Sequence, residues 1–163
     1  WRMLWEILQP YVVWWGGTSF ALWLGTSVPR IAWLFIFHLF GITLMLGTRV
    51  VLSMRLLGFA FRDQPVTDLS REVRPYAAAG LALALFSGFL IFTGGAEGYF
   101  AGNWFRNKMI LLFLALIFHF TVFRAVIHAE EGRITPIFRS VTAILTLVLW
   151  FGVGVAGRWI AFF

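Results

Sequence analysis

IAWLFIFHLFGITLMLGT, from Ile31 to Thr48, runs without a charge between Arg30 and Arg49. A bilayer core about 30 Å thick is crossed by about 20 apolar residues in a helix, so this run and its flanks read as a membrane span. Three more follow: Pro75–Ala96 between Arg74 and Glu97, Met109–Phe123 between Lys108 and Arg124, and Ser140–Gly157 between Arg139 and Arg158. The third is short, and its basic ends are expected to snorkel outward. With flanks included, the spans fall at about 30–54, 73–96, 105–127 and 137–160. The expected fold is an all-α membrane protein, a four-helix transmembrane bundle over 30–163 preceded by an interfacial amphipathic segment, 1–29.

Composition agrees with this reading. Apolar residues make up 61% and charged residues 12%, against about 45–50% and about 25% in soluble domains. A soluble globule could not coat itself with so few charges, which excludes a soluble enzyme. The absence of cysteine excludes disulfides, thiolate metal sites, a cluster held by this chain and covalently attached c-type haem.

The thirteen basic residues divide unevenly between the two faces. Arg49, Arg55, Arg62, Arg71, Arg74, Arg124, Arg133 and Arg139 fall on one side; Arg2, Arg30, Arg106, Lys108 and Arg158 fall on the other. The bias of Lys and Arg toward the cytoplasm places the 1–2 and 3–4 loops inside and both termini in the periplasm of a bacterial inner membrane. The charge of +6 thus reads as topology and contact with the lipid bilayer, not as nucleic-acid binding.

Trp1, Trp5, Trp14, Trp15, Trp23, Trp33, Trp104 and Trp159 all lie at or near the proposed outer face, leaving Trp150 in mid-span. Pro10, Gly16, Gly17, Gly25 and Pro29 interrupt residues 1–29, which therefore read as short helices lying along the membrane. No cleavable signal peptide is visible, and Trp1 need not be the encoded start. In the second span Ala77, Ala78, Ala79, Gly80, Ala82, Ala84, Ser87 and Gly88 favour close approach of a neighbouring backbone, so this helix is expected inside the bundle.

His38 and His119 stand inside the first and third spans, where an ionisable group is costly and points to function. One reading is a neutral imidazole bonded to a hydroxyl or carbonyl of a neighbouring helix. The other is axial ligation of haem b by both histidines, which needs similar depth on different helices. Measured from the span centres, their depths differ by roughly 7 Å at 1.5 Å per residue. Gly41 and Ala115, one turn from each histidine, would leave space for the porphyrin. Arg30 and Arg158 would meet its propionates, with Arg106 and Lys108 nearby, or simply anchor the interface.

Met45, on the His38 face, offers a His119/Met45 haem or a His/Met copper site as alternatives. Trp150 suits either stacking on a cofactor or packing. His128 is turned about 180° from His119 at 100° per residue, and is expected at the interface beside Glu130 and Glu131. Phosphate loops, dinucleotide fingerprints, zinc-protease helices, nucleophile elbows and buried carboxylate pairs are absent.

The motifs His38-Leu39-Phe40-Gly41, Met54-Arg55-Leu56-Leu57-Gly58, Arg74-Pro75, Phe105-Arg106-Asn107-Lys108-Met109, Phe118-His119 and Gly157-Arg158-Trp159-Ile160 resemble those of a bacterial family of small membrane proteins known only as a domain of unknown function. The likeness spans about residues 28–163. That family usually has an acidic residue before Arg-Leu-Leu-Gly, where this chain has Ser53-Met54. His38 and His119 fall on its motif positions, which favours ligation. The architecture is also similar to cytochrome b561-like and copper-resistance membrane domains, as four helices with buried histidines.

The resulting expectation is a b-type cytochrome subunit passing electrons between quinone or a membrane partner and an outer-face redox protein. Other membrane or periplasmic redox subunits would be its partners. The rival expectations are a non-catalytic membrane anchor or packing subunit of a larger complex, and a copper carrier.

Overall fold

The computed structural model describes residues 2–129, 133–160 and 162, without the side chains of Arg2 and Leu4. Trp1, Glu130 and Glu131, which entered the sequence reading, lie outside the described residues. Helix follows helix: α1 (Arg2–Gly16), α2 (Ser19–Gly25), α3 (Val28–Leu56), α4 (Val66–Thr93), α5 (Ala96–Ala101), α6 (Asn103–Phe118), a π-helical turn (His119–Phe123), α7 (Arg124–Ile127) and α8 (Pro136–Trp159). Four stretches are long and apolar enough to cross a membrane: Val28–Leu56, Val66–Thr93, Asn103–Ile127 and Pro136–Trp159. The protein is a multi-pass membrane bundle.

The spans begin and end where local chemistry allows, not where charge first appears. α4 starts at Val66, seven residues before the expected 73. Residues 66–74 carry Asp68, Arg71, Glu72 and Arg74, all exposed, while Leu69 is buried and Val73 packs against the same core. A charged face and an apolar stripe coexist on those turns, so a reading based on uncharged runs stops short of them. Likewise α3 continues past Arg49 to Leu56, because Leu52 and Leu56 keep the buried face going.

α3 is the central helix. It packs along α4 on one side and α8 on the other, and α8 packs on α6. The α4 contact is closest where glycines meet: a Cβ at Gly41 would lie 2.7 Å from the Ala84 nitrogen, and one at Gly80 2.7 Å from the Met45 nitrogen. Backbone contact of this kind is the main source of helix association in lipid. α4, however, lies at the edge. Gly80 and Ala84 face α3, whereas Ala78, Ala79 and Ala82 are exposed, which corrects the expectation of an interior helix.

Two apolar layers fill the centre. Met45, Ala115, Trp150 and Val153 form one; Leu52, Leu56, Leu69, Phe123, Val126, Ile127 and Ala143 form the other, toward the end carrying the α3–α4 connection. That end is called the basic end below. α1, α2 and α5 lie at the opposite, aromatic end. There Trp5 meets Phe100 at 4.9 Å between ring centroids, the Trp15 indole N–H donates to Thr93 Oγ1 at 3.2 Å, and Trp104 stacks on Trp159. Pro10 sits inside α1, and the short α2 is capped at its start by Thr18, so residues 2–25 form two short helices and no span.

Candidate functional site

His38 is turned from α3 onto α4. Its Nδ1 lies 2.8 Å from the Ala84 carbonyl oxygen and 3.1 Å from Ser87 Oγ. Ser87 donates its own proton to the Leu83 carbonyl at 2.5 Å, so both neighbours offer His38 only lone pairs. Nδ1 therefore carries the ring proton and Nε2 is the bare nitrogen. Gly88 makes room for the ring, since a Cβ there would stand 2.8 Å from His38 Cε1. The reading of an imidazole bonded to a carbonyl and a hydroxyl of the next helix describes His38.

His119 opens the π turn at the other end of the core. Its ring lies 5.0 Å from Phe120 and 5.5 Å from Phe123, and its Nδ1 is buried without a partner among the described residues. The register separates it from His38. Met45 and Ala115 share one packed layer; His38 lies seven residues from Met45 toward the aromatic end, and His119 four residues from Ala115 toward the basic end. At 1.5 Å per residue these steps put the rings roughly 16 Å apart along the bundle. The depth measured from uncharged runs is smaller partly because those runs omit the last two turns of α3, beyond Arg49, and so set the centre of that span too near the aromatic end.

The space expected for a porphyrin takes a different form. Gly41 abuts the α4 backbone, and Ala115 is fully buried against Met45, Trp150 and Val153. Protein atoms fill both gaps. Two axial nitrogens of one haem must flank the iron directly, so His38 and His119 do not fit a haem as a shared pair. Met45 and Trp150 are buried packing residues of the same layer. Arg30 lies over the Trp23 ring at 4.0 Å and Arg158 over Phe162 at 4.7 Å, as interfacial anchors do. Arg106 donates from Nε to the Phe100 carbonyl. Lys108, half-buried, rests its stem and ammonium 3.3 Å from where a Gly157 Cβ would be, instead of extending freely outward.

The open space lies elsewhere. α4 and the α6 segment touch at the aromatic end, where Phe92 stacks on Phe105 at 5.2 Å between ring centroids, and again near the basic end through α7. Between them is a cavity of about 240 Å³ lined by Arg49 and Leu52 of α3, residues from Ser70 to Leu81 of α4, and His119, Phe120, Arg124, Ile127 and His128. The π turn shapes it. In a regular α-helix, residues five apart point about 140° away from each other at 100° per residue. The wider π turn absorbs one residue, and His119, Arg124 and His128 then all border one cavity. The expectation that His128 faces away from His119 fails for this reason.

Arg49 is the functional candidate that the sequence reading passed over as a mere span boundary. Its side chain is 4% exposed, its Nε has no acceptor among the described residues, and its guanidinium lies 5.8 Å from the Phe123 ring and 5.9 Å from the Trp150 ring. The signal was present: Met45, Arg49, Leu52 and Leu56 recur at helical spacing, which puts the arginine on the buried face.

The cavity residues thus bring together Arg49, Arg74, Arg124, His119 and His128, with no carboxylate among the lining side chains. Such a set donates hydrogen bonds and balances negative charge. No curated protein and no solved structure matches the chain, and a similarity to cytochrome b561-like or copper-resistance domains is not shown. Residues 12–163 match the family of unknown function DUF6644, and the chain belongs to that family.

Proposed function

We propose that this chain is a membrane-embedded binding subunit that holds a lipid-soluble ligand bearing oxygen acceptors in the cavity between α4 and the α6–α7 segment. The observation that carries this reading is the burial of Arg49 against that cavity with its Nε unpaired among the described residues. A buried donor without an acceptor is costly in protein and more so in lipid, and a ligand oxygen removes the cost. Quinones and amphiphiles with acidic heads both offer such oxygens. In an electron-transfer complex a quinone held here would supply the redox chemistry, while Arg49 and His119 would only orient its carbonyls.

Extraction of the purified protein with organic solvent, followed by mass spectrometry, tests the proposal. A stoichiometric lipophile is expected from the native chain and is lost in Ala78→Trp, which fills the cavity from an exposed position. Equal amounts from both proteins would overturn the reading.

A second reading, a haem-bearing electron-transfer subunit, is favoured by one feature of His38. Metal-bound imidazoles characteristically donate the other ring N–H to a carbonyl, as Nδ1 does here to Ala84. An axial partner other than His119 would then be required. A reduced-minus-oxidised absorption spectrum with b-type bands that vanish in His38→Ala but persist in His119→Ala supports this form. Loss of the bands in both variants would restore the shared pair.

A further inference from the structure

We infer that the Arg49 cavity is specific for a phosphate group, presented by an anionic phospholipid headgroup or as free phosphate. This rests on the reading of the cavity as a ligand site and names its chemistry. Three arginines reach it from three helices: Arg49 from α3, Arg74 from α4 and Arg124 from α7. A carboxylate is filled by one guanidinium fork, whereas a phosphate offers oxygens in several directions and accepts from more than one. A neutral quinone carbonyl accepts hydrogen bonds but leaves the buried cation unbalanced.

Position agrees with this chemistry. The rim residues Arg74, Arg124 and His128 are exposed near the basic end, and Arg49 lies about 10 Å deeper than the end of α3 at Leu56, at 1.5 Å per residue. A headgroup at the interface meets the rim first and Arg49 below it. The Ser70 hydroxyl adds a donor inside, and His119, whose Nδ1 is buried without a partner among the described residues, adds another in the tautomer that carries its proton there. The aromatic faces of Phe123 and Trp150 hold the Arg49 cation without occupying its N–H groups, which leaves those donors for the ligand. Phosphate neutralises the arginine charge and pairs the orphaned Nε at once.

Thermal unfolding of the full chain in nanodiscs tests the inference. Discs of digalactosyldiacylglycerol, a lipid without phosphate, are compared with discs containing phosphatidylglycerol, and with the galactolipid discs in millimolar inorganic phosphate. A ligand held well above its dissociation constant should raise the midpoint by about 3 °C or more. A rise with phosphatidylglycerol alone identifies the lipid headgroup as the source; a rise with inorganic phosphate as well identifies a site for the free ion.

Arg49→Met, which keeps the stem and removes the unpaired charge, should unfold no earlier than the native chain in the galactolipid discs and lose the anion-dependent rise. Arg49→Lys should keep part of it. An equal rise in Arg49→Met, or none in the native chain, would overturn the phosphate assignment. If a neutral lipophile is still displaced by Ala78→Trp in that case, the binding-subunit reading survives and only its phosphate specificity falls.

Discussion

His38 Nδ1 donates to a carbonyl that already belongs to the α4 helix ladder, and Ser87 offers a second acceptor beside it. That redundancy makes the residues around the imidazole unequal. Ser87→Ala leaves the Ala84 bond intact and should cost less than about 1 kcal/mol. Gly88→Ala sets a methyl 2.8 Å from Cε1, so the ring or the helix must shift, at about 1–3 kcal/mol. Unfolding of the two purified variants measures the difference; equal losses would mean that the hydroxyl, not the space at Gly88, holds the ring. Arg49 follows the opposite logic. Its burial was readable from helical spacing, but its lack of an acceptor depends on what α4, α7 and α8 bring to it, and one helix cannot specify that.

The α3–α4 pair shows what an element contributes beyond its residues. Gly41 on α3 and Gly80, Ala84 and Gly88 on α4 recur at helical spacing, so each helix presents a groove where the other's backbone fits. The small-residue stripe on α4 was readable as a packing face. Gly41 was not, because a gap beside a histidine looks the same on one helix whether a cofactor or a backbone fills it. Gly41→Ala and Gly80→Ala each place a methyl 2.7 Å from a backbone nitrogen, and each should destabilise by about 1–3 kcal/mol. Combined, they should cost less than their sum, since the first already separates the helices at the shared crossing. Gly47→Ala, with open space around it, serves as the control and should be neutral or slightly stabilising in a helix. Strict additivity of the two crossing variants, measured by unfolding in detergent, would show that they act on separate contacts.

At the scale of the whole molecule, four spans and an aromatic end were plain from hydropathy and tryptophan placement, since both follow from what lipid and its interfaces favour. The π turn was not, because nothing local in His119–Phe123 distinguishes it from a regular turn, and it brings His119 and His128 closer to one face, where both border one cavity. Burial also changes the charge count that sets orientation. Arg49 is buried inside the bundle and drops out of the loops, yet Arg55, Arg62, Arg71, Arg74, Arg124, Arg133 and Arg139 still outnumber Arg2, Arg30, Arg106, Lys108 and Arg158 at the aromatic end. The bias therefore predicts the basic end in the cytoplasm. With no native cysteine, single cysteines report the orientation without background. Asp63 and Gly98 are both exposed, one at each end. In intact bacterial cells an impermeant maleimide should label Gly98→Cys and not Asp63→Cys, and permeabilised cells should label both. The reverse pattern in intact cells would turn the molecule over, and the Arg49 cavity would then open to the outer leaflet.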